Sequence, residues 1–210
     1  MNNDLQNRFI RTLVTDVIRS LERAEQTRNM SDRRDLVRTS LAAIEGLVGD
    51  YRDSIIEIAH DLGDLADEER IALSEKVVNV DRQGRISQQT RNLPMIVMFR
   101  LVTNIATKLN PAVDVDFGVL GWEHLQHAIH VRNRITHPKT TADLLVSEED
   151  IEKTVSAVDW VMRVVIEATG AATVALKQYS DEFREVAEAL KRKDPEITAL
   201  YESVLRDLDD

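Results

Sequence analysis

The residues best suited to chemistry lie in one short stretch, Val131-Arg132-Asn133-Arg134-Ile135-Thr136-His137-Pro138-Lys139. Arg132 and His137 stand close together at what reads as the end of a helix. Arginine is a permanently charged planar fork that matches phosphate oxygens, and histidine exchanges protons near neutral pH. Held together, the two suit phosphodiester chemistry. Arg134 and Lys139 add charge beside them, and no acid falls between Val131 and Thr141. A second acid-free stretch, from Arg82 to Arg100, also holds Arg85 and Arg91. On charge alone, Arg134, Lys139, Arg82, Arg85 and Arg91 are candidate phosphate binders. The rival reading of each island is a solvated basic loop or a helix end that complements its own dipole.

Context sharpens the motif more than spacing does. Asn133 directly follows the arginine, Ile135 precedes the histidine by two, Pro138 follows it, and apolar helical segments lie on both sides. That pattern resembles the signature of HEPN domains, small all-helical proteins with many RNA-cleaving members, most strongly over about residues 30 to 170. The resemblance implies metal-independent RNA cleavage, with the ribose 2′-OH attacking the adjacent phosphate to leave a 2′,3′-cyclic phosphate and a 5′-hydroxyl. It implies His137 as general base or acid, Arg132 as stabiliser of phosphoryl charge, and Asn133 as a positioning group. It also implies a homodimer in which two motifs face one cleft, no cofactor, a regulatory or antitoxin protein as partner, and a setting in bacterial defence or stress. One departure bears on control. HEPN toxins silenced by a nucleotidyltransferase carry a tyrosine two residues after the histidine, where this chain has Lys139.

Helices must position these groups. Residues 4–26 read as a first helix with Ile10, Val14, Val17 and Leu21 on one stripe. A second, capped by Ser31 and ended by Gly63, carries Val37, Leu41, Ile44, Val48, Tyr51, Ile55, Ile58 and Leu62 in 4-3 spacing, a seam that wants a partner helix from this chain or a second subunit. Gly46 and Gly49 on it would permit close backbone approach. Residues 67–77 suggest a short helix and 78–92 a polar loop with a brief strand pair. A helix from Pro94 to about Asn110 is apolar nearly all round, which predicts a buried centre. The motif helix runs from about Gly118 to Thr136, because Pro138 disfavours helical geometry at His137. Arg132 falls in the middle of its apolar arc, with Trp122, Leu125, Ala128, Ile129 and Ile135, so its charge needs a partner or a route to water.

Ser147 caps the next helix, and a seam runs from Ile151 through Val155, Val158, Met162 and Val165 to Ala172, Leu176, Tyr179, Phe183, Val186 and Leu190. Either Thr169-Gly170 breaks this helix, or its second half projects as a dimerisation arm. A short helix after Asp194-Pro195 ends in an acidic tail. The expected organisation is an all-α bundle over 1–170, HEPN-like with long antiparallel helices, and a helical extension over 171–210.

Composition narrows the function classes. The net charge of −10 argues against nucleic-acid binding over the whole surface but leaves room for a local site. The absence of cysteine excludes disulfides and thiolate metal sites, and with no signal-like start or membrane-length apolar run, a soluble cytoplasmic protein is expected. His124, His127 and His130 recur every three residues, but successive steps of three rotate the face, so they read as surface or interface histidines and not as a metal site. Two other readings stand beside the enzyme: a non-catalytic HEPN-like helical module that binds RNA or a protein partner, and a purely structural coiled-coil protein.

Overall fold

The computed structural model describes residues 2–208, with side chains described for 8–201 and 203. The elements are α1 (Asn2–Thr27), α2 (Met30–Leu62), α3 (Asp67–Leu73), β1 (Lys76–Val80), β2 (Ile86–Thr90), α4 (Met95–Leu109), α5 (Leu120–Thr136), a short 3-10 turn (Thr141–Leu144), α6 (Glu148–Lys191) and α7 (Pro195–Leu208). The fold is predominantly helical, and no described helix is long and apolar enough to cross a membrane. The tip of the acidic tail lies outside the described residues.

α2 is the central post. It packs against α1, α4, α5 and α6. Seven of its eight seam residues, Val37 to Ile58, are buried, and Leu62 packs at the edge. The seam therefore finds its partners inside one chain and needs no second subunit. Asn29, not Ser31, caps its start, accepting from the Asp32 N–H at 2.8 Å. Gly63 ends it at φ 72°, a left-handed turn that lets the Gly63 and Asp64 N–H groups reach the His60 and Ala59 carbonyls. Gly46 does allow close approach: a β-carbon there would stand 2.6 Å from the Leu13 side chain on α1. At Gly49 nothing lies within 4 Å.

α4 is less enclosed than its composition suggests. Phe99, Val102, Ile105 and Ala106 are buried, whereas Val97 is exposed. Phe99 and Phe117 form edge-to-face contacts with Trp160, and Phe117 with Trp122 at 4.9 Å. The Arg100 guanidinium lies over Phe117 and Trp122, 4.7 and 4.6 Å from their centroids. Trp160 reaches this cluster across Gly121, where any β-carbon would come within 2.2 Å of the indole.

The polar stretch before α4 does form a strand pair, antiparallel with Lys76 opposite Thr90 and Val80 opposite Ile86. Every residue of both strands is exposed. Asp81 shapes the turn by accepting from the Gln83 and Arg85 N–H groups, and Gly84 takes φ 75°. α6 is unbroken through Thr169-Gly170, so its 44 residues span about 66 Å at 1.5 Å per residue. The boundary expected at 170 thus falls within a continuous helix. The described buried positions of α6 end at Ala172.

Candidate functional site

Pro138 cannot continue α5, which leaves the last carbonyls of that helix to be satisfied by other groups. His137 occupies the C-cap at φ −124°, and its N–H donates to the Asn133 carbonyl at 3.0 Å. The Thr136 hydroxyl donates to the Arg132 carbonyl at 2.6 Å, and Arg38 of α2 donates to the Ile135 carbonyl at 3.3 Å. The His137 imidazole is exposed, and no described residue hydrogen-bonds to it or pairs with it. Asn133 and Lys139 are also exposed, their side chains without a partner among the described residues, although the Lys139 backbone N–H is held by Asp143 at 2.8 Å.

Arg132 lies among Ala128, Val131 and Ile135, all buried, as the apolar arc of α5 requires. Its partner is Glu45 on α2, to which Nη2 donates in an ion pair. The charged fork on an apolar arc is thus answered within the chain. The pair is not sealed: the side chains are 31% and 48% exposed. Ion pairs this open are worth about 0–1 kcal/mol, so a phosphodiester of the same single charge can exchange for the carboxylate.

Arg134 has a different environment. Nη1 donates to the carbonyls of Ala142, Asp143 and Leu145 at 3.3, 3.1 and 2.7 Å, and Nη2 reaches Asp150 at 3.4 Å. Its guanidinium ties the 3-10 turn to α6 and leaves little for an incoming phosphate, the role expected from charge alone. Arg34 donates to the Leu144 carbonyl and Arg33 to that of Val146. The segment following His137 is therefore fastened by arginines that bind backbone oxygens.

Asp150 joins this network to α6. It is buried, accepts from the Ser147 N–H at 2.9 Å in a capping box, and accepts from His127 Nε2 at 2.7 Å. Burial pushes its carboxyl up, but the Ser147 N–H, the His127 ring and the Ser147 hydroxyl outweigh burial, and the net displacement is downward. Asp143 is also held low, chiefly by the N–H groups of Lys139 and Thr140. His124 meets Ser156 on α6 at 2.9 Å. His124 and His127 are thus interface histidines between α5 and α6, while His130 is exposed.

The hairpin arginines are set apart by its length. Arg82 and Arg85 flank the turn at the tip, about 17 Å along five-residue strands from the base. Arg91 lies at the base, where its N–H donates to the Glu75 carbonyl at 2.8 Å. A shallow groove of about 340 Å³, lined by Glu45, Arg52, Glu75, Asn92, Leu93 and Met98 among others, runs from the partner of Arg132 to this base. Arg91 is therefore the hairpin arginine nearest the motif along a continuous surface. Sequence reasoning missed Glu45, Asp150 and the α2 arginines. Three arginines within Arg33–Arg38, at the start of the apolar seam, were a usable signal for the last of these.

No protein-family model matches this chain, and neither a curated protein nor a solved structure shows significant similarity to it.

Proposed function

We propose that this chain is a metal-independent endoribonuclease of HEPN type, in which Arg132 and His137 act on a phosphodiester. The observation that carries this reading is an imidazole at the end of α5 that is exposed and unpartnered among the described residues, five positions after an arginine whose one acidic partner among them is half-exposed and displaceable. His137 takes the proton from the ribose 2′-oxygen as the bond from that oxygen to phosphorus forms. The bond from phosphorus to the 5′-oxygen breaks, and that oxygen receives a proton. Arg132 lies against the non-bridging oxygens as their charge grows, replacing Glu45 as the counter-charge. Asn133 and Lys139 line the same helix end, the first to orient and the second to neutralise. A second copy of the motif, as the resemblance implies, supplies the matching acid. The proposed setting is bacterial defence or stress, with a regulatory or antitoxin protein as partner.

The test is cleavage of RNA in the presence of chelator, with DNA of the same sequence as control. His137→Ala should lose about 10²- to 10⁴-fold in rate, as expected for a general catalyst. A single 2′-deoxyribose at the cleavage position should abolish cutting there. Cleavage that survives either change at full rate refutes the mechanism. The Arg132–Glu45 pair and the Arg134 clamp favour a second reading, a non-catalytic module that binds RNA or a protein partner. RNA bound but not cut by the wild-type chain would select it.

A further inference from the structure

A cavity of about 570 Å³ opens where the end of α1 meets the first turns of α2 and α6, within the size range of small-molecule sites. Its floor is apolar: Ala24 and Ile151 are buried, and Leu21 packs against the core. Four charged side chains complete the lining, Glu25 of α1, Arg28 of the turn after it, Arg33 of α2 and Glu148 of α6. The lining is therefore neutral in sum, with both signs present. Arg33 lies deep, its side chain 16% exposed, and donates to Glu148 at 2.5 Å and to the Val146 carbonyl at 3.3 Å. Through Val146 the cavity backs onto the segment that follows His137.

The other two charges are kept apart. Glu25 and Arg28 stand three residues apart, a spacing at which a continuing helix brings opposite charges together. Here α1 stops at Thr27 and Arg28 turns left-handed, at φ 53°, and neither side chain has a partner among the described residues. Asp32 holds that turn, accepting from the Thr27 hydroxyl at 2.6 Å and the Asn29 amide at 2.8 Å. A residue with a β-carbon is strained in this conformation, and the strain leaves an unpaired cation and an unpaired acid, both exposed, at the mouth of one cavity. A simple anion there would meet the two acids, and a simple amine the two arginines. The matching ligand carries one charge of each sign a few ångströms apart, with an apolar body for the floor.

We infer that this cavity binds a free α-amino acid with an apolar side chain. The ligand carboxylate pairs with Arg28, whose planar fork suits it, and the ammonium pairs with Glu25. The apolar side chain rests on Leu21, Ala24 and Ile151, while Arg33 and Glu148, already paired, add one charge of each sign behind it. This goes beyond the ribonuclease reading and is tested without RNA, so either can fail alone. L-Phenylalanine at about 10 mM should raise the Tm of the full chain and give a saturable heat on titration. Phenethylamine, which lacks the carboxylate, and hydrocinnamate, which lacks the ammonium, should each bind at least about tenfold more weakly. Arg28→Gly takes the left-handed turn without a β-carbon, so its unliganded Tm should not fall. It should still lose at least about tenfold in affinity, as should Glu25→Gln, whose exposed side chain leaves the fold unchanged. Failure of both L-phenylalanine and L-leucine to bind would overturn the inference. So would either analogue binding as tightly as the amino acid, or full affinity in either variant.

Discussion

Replacing Arg134 by alanine separates a structural clamp from a phosphate ligand. The side chain is 24% exposed and serves three carbonyls and the Asp150 carboxylate. Hydrogen bonds to charged groups contribute about 1.5–3 kcal/mol each when buried, but the loop carbonyls regain water once the arginine is gone. Discounting for that recovery leaves about 2–3 kcal/mol for the whole group. For a chain of this size one kcal/mol moves Tm by about 2–4 °C, so a fall of roughly 5–10 °C is expected. Arg134→Lys should recover little of it, because an ammonium cannot span acceptors on two segments. Thermal unfolding followed by circular dichroism gives the shift, and amide exchange should show faster opening confined at first to residues 139–147. The salt dependence of RNA binding should keep its slope, since no phosphate contact is removed. A Tm within 1 °C of wild type together with a flatter salt slope would refute the clamp and restore Arg134 to the phosphate site.

Three further outcomes are expected. Gly121→Ala should destabilise by about 1–3 kcal/mol and alter the near-ultraviolet dichroism of Trp160, because its β-carbon collides with the indole; Gly170→Ala, in open space within α6, should instead stabilise by about 0.5–1 kcal/mol. Asp150 has its carboxyl pKa depressed in the fold, so its contribution is present above the ordinary carboxylate pKa near 4 and is lost as pH falls through the depressed value. Asp150→Asn should therefore have a lower urea midpoint at pH 7, with the gap from wild type narrowing below about pH 4; a constant gap would show that the charge is not what stabilises. Replacing residues 77–89 by a short Gly-Ser turn should leave Tm within about 2 °C, as none of the strand residues is buried, while RNA affinity falls if the Arg82 and Arg85 positions hold phosphates.

The helices were legible because their apolar residues recur with helical period and their ends are marked by Gly63, Pro111, Pro138 and the Ser147–Asp150 box. Periodicity gives a face but not its occupant. The α2 seam reads the same whether α4 to α6 or a second subunit covers it, and only the packed chain decides. The continuity of α6 was obscured for a related reason: Gly170 lowers helix propensity, yet the seam buried up to Ala172 and the helix-forming residues beyond it outweigh one glycine. At the site, Pro138 and the placement of Arg132 on the apolar arc were readable, and so was the need for a counter-charge. That Glu45 supplies it was not, because 87 residues separate the two. Arg134 and Lys139 look alike as charges in a string. One has a turn of carbonyls folded onto it and the other has solvent, a difference made entirely by where the segment after His137 goes.

The unbroken α6 has a geometric consequence. A helix without a hinge transmits angle as well as distance, so the azimuth of Phe183 is set by the capped turn at Ser147 and Asp150, about 50 Å away. Each residue advances the face by about 100°, and the arm is thereby keyed to the bundle like teeth on one shaft. Adding a single residue after Gly170 would swing the arm's apolar strip a quarter turn or more, whereas adding seven would lengthen the shaft and restore its bearing to within about 20°. The relative bearing of bundle and arm is thus fixed by residue count as much as by composition.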